Sequence, residues 1–143
     1  MIAFADSSAL VKLYADEPGH EAVRALGTVV ASALARVEVP SALWRKRRDG
    51  GLGASEAALL TRAFAADIAG PAPRIAAVAI DPVLERAAAL AATHGLRSGD
   101  AIQLAAALAA RDADPRCSAF ACFDAALRDA AASAGFSLVP ARP

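Results

Sequence analysis

The sequence predicts an α/β fold in which a central, mainly parallel sheet is covered by helices. Short apolar segments alternate with longer segments that carry apolar residues at helical spacing, and this alternation is typical of parallel sheets. The chain has 143 residues, which suits one domain, and no internal repeat or linker divides it. We therefore expect a single domain over residues 1–143.

Short runs of apolar and β-branched residues predict the strands. In chain order they cover residues 1–5, 28–32, 75–80, 119–123 and 136–139. The first run ends at Asp6 and the fourth ends at Asp124, so each strand delivers a carboxylate to its carboxyl end. Ligands of α/β folds bind at this edge of the sheet.

Apolar residues at helical spacing, bounded by glycine, proline and aspartate, predict the helices. They cover residues 7–14, 20–26, 33–48, 54–69, about 82–94, 101–111 and 124–134. Pro40 should kink the third helix or mark a restart near Glu38, because proline removes an amide from the hydrogen-bond ladder. The helix over 101–111 is apolar on nearly all sides, which predicts a buried, central position.

The composition narrows the class of protein. Fifteen basic and fifteen acidic residues cancel, so any nucleic-acid binding must come from local patches. No apolar run approaches the roughly 20 residues of a membrane span, and the N-terminus lacks the zones of a signal peptide. Cys117 and Cys122 are interpreted as reduced packing residues, and His20 and His94 do not have zinc spacing. We expect a cytoplasmic protein that does not contact membranes.

Four carboxylates stand out because of their predicted surroundings. Asp6 and Asp124 end strands. Asp100 opens the most apolar helix, and Glu38 lies on a helix face of small residues. If the strands are parallel, these acids can meet at one edge of the sheet, where their charges would repel one another unless a cation were present. Carboxylates suit Mg²⁺ or Mn²⁺, which can activate water for displacement at phosphorus.

Each of these acids also has an ordinary structural interpretation. The three aspartates could cap the helices that follow them. Glu38 could pair with Arg36 or Arg45. The basic run 44–48 could contact RNA phosphates or be a solvated helix end, with Arg45 set apart because it shares the helix face of Glu38.

Several short motifs occur in a fixed order. They are Ala5-Asp6-Ser7-Ser8-Ala9-Leu10-Val11-Lys12-Leu13-Tyr14, Glu17-Pro18-Gly19, Ala35-Arg36-Val37-Glu38-Val39, Leu96-Arg97-Ser98-Gly99-Asp100-Ala101-Ile102-Gln103-Leu104-Ala105 and Cys122-Phe123-Asp124-Ala125-Ala126-Leu127. In this order and spacing they resemble the PIN-domain family, and more narrowly the VapC-type toxins of bacterial toxin–antitoxin pairs. The resemblance covers essentially the whole chain.

The resemblance implies a PIN-like α/β/α sandwich and an endoribonuclease that depends on Mg²⁺ or Mn²⁺. The family's acidic quartet maps onto Asp6, Glu38, Asp100 and Asp124. Asp6 and Asp100 would be the principal metal ligands, Glu38 would bind metal directly or through water, and Asp124 would complete the pocket. The resemblance also implies that Ser7 or Ser8 holds metal-bound water.

The chain departs from the family pattern at four positions. The family often has Thr or Ser at the position of Cys122, an apolar or other side chain at that of Gly99, and His at that of Gln103. In addition, Pro40 directly follows the motif around Glu38. None of these departures removes a carboxylate, but Cys122 makes Asp124 the weakest of the four assignments.

The resemblance also implies partners: an RNA substrate, a cognate VapB-type antitoxin and a second copy of the chain in a homodimer. The antitoxin would lay a segment across the groove near the acids, and Arg45 is a candidate contact for RNA or antitoxin. The helices over 33–43 and 54–69 could supply dimer surfaces, or could simply pack in the core.

Two other functions fit parts of the pattern. An inactive PIN fold that acts only by binding would keep the fold without the chemistry. A different Mg²⁺ phosphotransfer fold fits poorly, because a haloacid-dehalogenase-like phosphatase would have Asp where Ser8 stands, and a receiver domain needs an acceptor Asp after its middle strand.

Overall fold

The computed structural model describes residues 1–142, so Pro143, the last residue of the expected domain, lies outside the described residues. The strands are β1 (Ile2–Ala5), β2 (Thr28–Ser32), β3 (Ile75–Val78), β4 (Cys117–Ala121) and β5 (Ser137–Val139). The helices are α1 (Ser7–Tyr14), α2 (His20–Arg24), α3 (Ala35–Arg48), α4 (Ala54–Ala69), α5 (Leu84–His94), α6 (Ser98–Ala113) and α7 (Ala125–Ser133). Within residues 1–142, no helix is both long enough and apolar enough to cross a bilayer.

All five strands form one sheet in the order β3-β2-β1-β4-β5, and every neighbouring pair is parallel. The first strand lies at the centre, where Phe4 is in register with Val30 of β2 and with Phe120 of β4. From β1 the chain winds outward to β2 and β3, and later returns to the other side of β1 to form β4 and β5. The strand order therefore reverses between β1 and β4, which makes the carboxyl ends of these two strands the switch point of the sheet.

The core is divided into two clusters by the sheet. One cluster contains Phe4, Phe120 and Leu104 and packs the sheet against α5, α6 and α7. The other contains Leu10, Leu43, Phe64 and further side chains that pack the opposite face against α1, α3 and α4. Successive strand residues point to opposite faces, so β1 contributes to both clusters. The predicted α/β/α sandwich is confirmed, and so is the buried position of α6, whose residues 103–108 are all buried.

The ends of several elements differ from the sequence-based expectation by up to three residues. Helix α6 begins at Ser98 rather than at residue 101, because Arg97 is still extended and its carbonyl accepts the first helical bond, from the amide of Ala101. Strand β4 ends at Ala121, three residues before Asp124. Helix α3 is continuous through Pro40, so of the two expected effects, a kink or a restart, the restart is wrong. The missing proline amide costs one bond to the carbonyl of Arg36, an exposed residue where water can replace it.

Candidate acidic active site

Asp6 directly follows the central strand and lies at the switch point. Only 5% of it is exposed. Its Oδ1 accepts hydrogen bonds from the Ser8 hydroxyl (2.7 Å) and from the Ala9 amide (3.0 Å), so it caps α1. Its Oδ2 accepts a bond at 3.1 Å from the thiol of Cys122, which directly follows β4, the strand paired with β1. Both oxygens of the Asp6 carboxylate thus accept hydrogen bonds from neighbouring groups of the protein.

Burial raises the pKa of Asp6 from 3.8 to about 6. The hydrogen bonds from Ser8, Ala9 and Cys122 lower this pKa, and the negative charge of Asp100 raises it, but burial has the largest effect. A carboxylate with this pKa is costly to keep charged, and a nearby cation would relieve that cost.

Glu38 lies in the first turn of α3 and faces the same region. Its Oε1 accepts bonds from the Ser7 hydroxyl at 2.8 Å and from Nε2 of Gln103 at 2.7 Å. Its Oε2 points toward the start of α6, because a Cβ built on Gly99 would lie 3.5 Å from it. Among residues 1–142 Glu38 forms no ion pair, so the alternative pairing with Arg36 or Arg45 is wrong.

Asp100 follows Gly99, the residue toward which Oε2 of Glu38 points. It is half-buried in the first turn of α6, and burial raises its pKa, with further contributions from the charges of Asp124 and Glu38. Since the charge of Asp100 also raises the pKa of Asp6, Asp100 interacts electrostatically with all three other acids. Contacts place the four acids near one edge of the sheet: Glu38 bonds to Ser7 beside Asp6 and faces Gly99 beside Asp100, and Cys122 bonds to both Asp6 and Asp124.

The capping alternative is correct for two of the three aspartates. Asp6 caps α1, and Asp124 caps α7 through a bond from the Leu127 amide to its Oδ1 at 2.9 Å. Asp100 is not a cap, because the residue before α6 is Arg97. Capping uses one oxygen of the exposed Asp124 and leaves the other without a partner among the described residues, so the cap does not exclude a second role.

Sequence reasoning assigned Cys122 and Gln103 no role in the site. Cys122 is buried as expected, but its sulfur also contacts the acids: it donates to Asp6 and accepts from the Asp124 amide at 3.3 Å. In the family pattern, Gln103 stands where His is common. Its spacing of three residues from Asp100 is the signal that could have placed it, because such residues share a helix face.

A groove of 540 Å³ adjoins the acids on the α3 side. Ser7, Glu38, Lys12, Arg45 and Phe123 are among the residues that line it. Lys12 is largely buried: its Nζ contacts Glu17 at 3.0 Å and lies 4.3 Å from the centre of the Phe123 ring. Arg45 is exposed, so it is the lining cation best placed to meet an anionic ligand.

The donor set suits a hard divalent cation in its chemistry. Carboxylates and hydroxyls surround the pocket, and hard oxygens favour Mg²⁺ or Mn²⁺ over zinc. Within residues 1–142, however, no three His, Cys, Asp or Glu side chains are arranged to hold a metal ion. The residues thus fit the cation by charge and donor type, and binding would have to draw the carboxylates closer together.

Comparison with known proteins agrees with this architecture. The family model of the PIN domain matches residues 3–133, a span that includes all four acids and most of the chain. No curated protein sequence matches the chain. The chain therefore belongs to the PIN domain family, whose members are typically metal-dependent nucleases.

Proposed function

We propose that the protein is an endoribonuclease that depends on Mg²⁺ or Mn²⁺ and acts as the toxin of a toxin–antitoxin pair. The observation that carries this proposal is the placement of Asp6, Glu38, Asp100 and Asp124 near the carboxyl ends of β1 and β4, beside a groove that Glu38 also lines. Family membership supports nuclease chemistry, and the choice of RNA and the toxin role are inferred from the motifs of the sequence.

Asp6 and Asp100 would hold the cation, with Glu38 bound directly or through water and Asp124 completing the pocket. When bound, such a cation lowers the pKa of a water molecule and offsets charge at phosphorus. The protein itself orients the acids: Ser8 and Cys122 fix Asp6, while Ser7 fixes Glu38. Ser7 donates a hydrogen bond to Glu38, and Ser8 donates one to Asp6. Contact of either serine with metal-bound water is proposed as an additional role.

RNA, a VapB-type antitoxin and a second copy of the chain are the proposed partners. The groove beside the acids supports the first two, because a strand of RNA or an antitoxin segment lying in it would contact both Glu38 and Arg45, which line it. For a homodimer, α3 and α4 leave Val37, Trp44 and Leu59 exposed, while their other faces pack in the core.

The test is controlled expression in bacteria of the wild type, Asp6→Asn and Asp100→Asn, with growth and total RNA followed together. We expect the wild type to stop growth and produce discrete RNA fragments, and both variants to do neither. Asp129→Asn is the matched control, because it removes an exposed carboxylate from α7 and should behave as the wild type. Equal growth and intact RNA in all cultures, with folded protein present, would contradict the proposal.

A second candidate is an inactive PIN fold that acts by binding alone. It is favoured by one observation, the absence within residues 1–142 of three acids arranged to hold a metal ion. Purified protein separates the two candidates. A nuclease cuts RNA on addition of Mn²⁺ and stops with a chelator, whereas a binding module retains RNA or a protein partner and leaves the RNA intact under both conditions.

A further inference from the structure

Gln103 is a buried polar side chain that the proposed chemistry does not use. It lies on α6 with 2% of its surface exposed, among residues that are otherwise alanine and leucine. Its Nε2 donates to Oε1 of Glu38 at 2.7 Å and to the Ser7 hydroxyl at 3.1 Å. Because a carboxylate oxygen only accepts hydrogen bonds, the NH₂ end of the amide must face Glu38.

The other end of the amide has no partner. Gln103 Oε1 is buried and accepts no hydrogen bond from the described residues. An unpaired buried carbonyl is unfavourable, and an apolar side chain of the same length would fill the space without that cost. Core packing alone therefore does not explain a glutamine at this position. The feature that an apolar residue would lack is the hydrogen bond from the NH₂ group to Glu38.

We infer that Gln103 is a positioning residue for Glu38. Together with Ser7 it holds Oε1 in place, so the remaining oxygen, Oε2, stays directed toward the start of α6, where Asp100 lies. The inference rests on the proposed function, since it assigns Glu38 to the cation. Residues that orient a metal ligand through hydrogen bonds typically change metal affinity about 10- to 100-fold when they are replaced.

The experiment is calorimetric titration of the metal-free protein with MnCl₂. We expect Gln103→Met, which keeps the length and loses the donor, to weaken Mn²⁺ binding about 10- to 100-fold. Gln103→Leu is a second variant for the same measurement. In the Glu38→Gln background the same replacement should change affinity less than about twofold, because residues that act through one another are not additive.

Thermal unfolding distinguishes positioning from packing. We expect the unfolding midpoint of Gln103→Met to stay within about 4 °C of the wild type, because loss of the bonds to Glu38 and Ser7 is offset by removal of the unpaired carbonyl. Leu108→Ala is the control on the same helix: it removes a buried apolar side chain, so it should lower the midpoint and leave Mn²⁺ affinity unchanged.

Three results would overturn the inference. If the wild type binds Mn²⁺ and both Gln103 variants bind it equally well, Gln103 does not position Glu38, and the proposed nuclease stands. If Gln103→Met weakens binding equally with and without Glu38, it acts by another route. If the wild type binds no Mn²⁺, the inference and the metal-dependent function fail together.

Discussion

Asp6 combines two opposing influences on one side chain. Three hydrogen-bond donors favour its charged form, yet burial raises its pKa from 3.8 to about 6. A group that ionises at higher pH when folded than when unfolded makes the folded state bind more protons, so its contribution to stability is lost as pH rises between those two values. In the metal-free protein, the charged form of Asp6 therefore has a free-energy cost that grows as pH rises between these values.

That cost predicts how stability depends on pH. In the metal-free wild type, the contribution of Asp6 to the free energy of unfolding should fall by about 3 kcal/mol between about pH 4 and about pH 6, at 1.36 kcal/mol per pKa unit. Asp6→Asn should lack this fall and be the more stable protein near pH 7. Urea unfolding at a series of pH values, with a chelator present, measures both. A parallel pH dependence of Asp6→Asn and wild type would contradict the prediction, and Asp129→Asn is the control that should keep the wild-type slope.

The two cysteines give a second prediction. Burial raises the pKa of both Cys117 and Cys122, so the reactive thiolate form is scarce, and the folded protein shields both sulfur atoms. We expect iodoacetamide to label neither cysteine in the native protein near pH 8, and both in denaturant, as read by mass spectrometry. Rapid labelling of Cys122 in the native protein would show that the contact between β4 and Asp6 opens in solution.

Residue chemistry explains how much of the site the sequence could predict. Asp6, Glu38, Asp100 and Asp124 were predicted because a carboxylate next to apolar residues is conspicuous in any sequence. The roles of Cys122 and Gln103 depend on contacts across 116 and 65 residues, and both side chains are compatible with simple core packing. No local pattern distinguishes a buried thiol that donates to a carboxylate from one that only fills space.

The loop between α1 and α2 packs against the loop that carries Asp124, through contact between Gly19 and Phe123. Gly19 has φ of +90°, and a Cβ built on it would lie 2.5 Å from the Phe123 ring. Phe123 stands between Cys122 and Asp124, and its amide donates to the Ser8 hydroxyl at 3.1 Å. A change at Gly19 therefore reaches the acids through Phe123.

We predict that Gly19→Ala destabilises the protein by about 2–4 kcal/mol, because the left-handed backbone and the crowded ring both oppose a methyl group. It should also reduce nuclease activity beyond what the remaining folded fraction explains. Gly27→Ala is the matched control: nothing lies within 4 Å of its Cβ, and it should be neutral or slightly stabilising. Chemical denaturation compares the two, and equal stabilities would show that the loop adapts without cost.

Elements were easier to predict than their ends. Helices α1 and α4 and strand β2 begin and end as predicted, and each begins directly after a capping residue or a glycine: Asp6, Gly53 and Gly27. The start of α6 was missed, because Ser98-Gly99-Asp100 has the composition of a turn but forms the first helical turn when α6 packs into the core. Pro40 likewise interrupts α3 less than its chemistry suggests, since the amide it lacks would have bonded at an exposed turn.

Charge is a property of the whole molecule, and here it sums to zero. Contact with RNA phosphates would then depend on the cations at the end of α3, from Arg45 to Arg48. We predict a shallow salt dependence for single-stranded RNA: log K should fall with log salt at a slope of about −3 or less steep, at about −0.7 per neutralised phosphate. Fluorescence anisotropy with labelled RNA and a chelator measures it.

Arg45→Ala should weaken RNA binding and make the salt slope shallower by about 0.7. Arg62→Ala, on α4, is the control and should leave the slope unchanged. A wild-type slope much steeper than −3 would place additional contacts elsewhere on the surface.

The overall architecture could be predicted because strand–helix alternation admits few topologies. The order of strands in the sheet could not be predicted, because no local sequence pattern indicates that the chain returns to the far side of β1 after α6. The pairing of β4 with β1 brings Cys122 and Asp124 close to Asp6. This pairing is formed by residues that are distant in sequence.

The central place of β1 has a consequence for synthesis on the ribosome. β1 is the first strand to be synthesised. It gains its second neighbour only when β4 emerges, after more than a hundred other residues. Until then Asp6 lacks the Cys122 thiol, and Asp100 lacks its neighbour Asp124. A nascent chain thus carries an incomplete acidic pocket past the ribosomal RNA around it, and the pocket is completed only once residue 124 is free to fold.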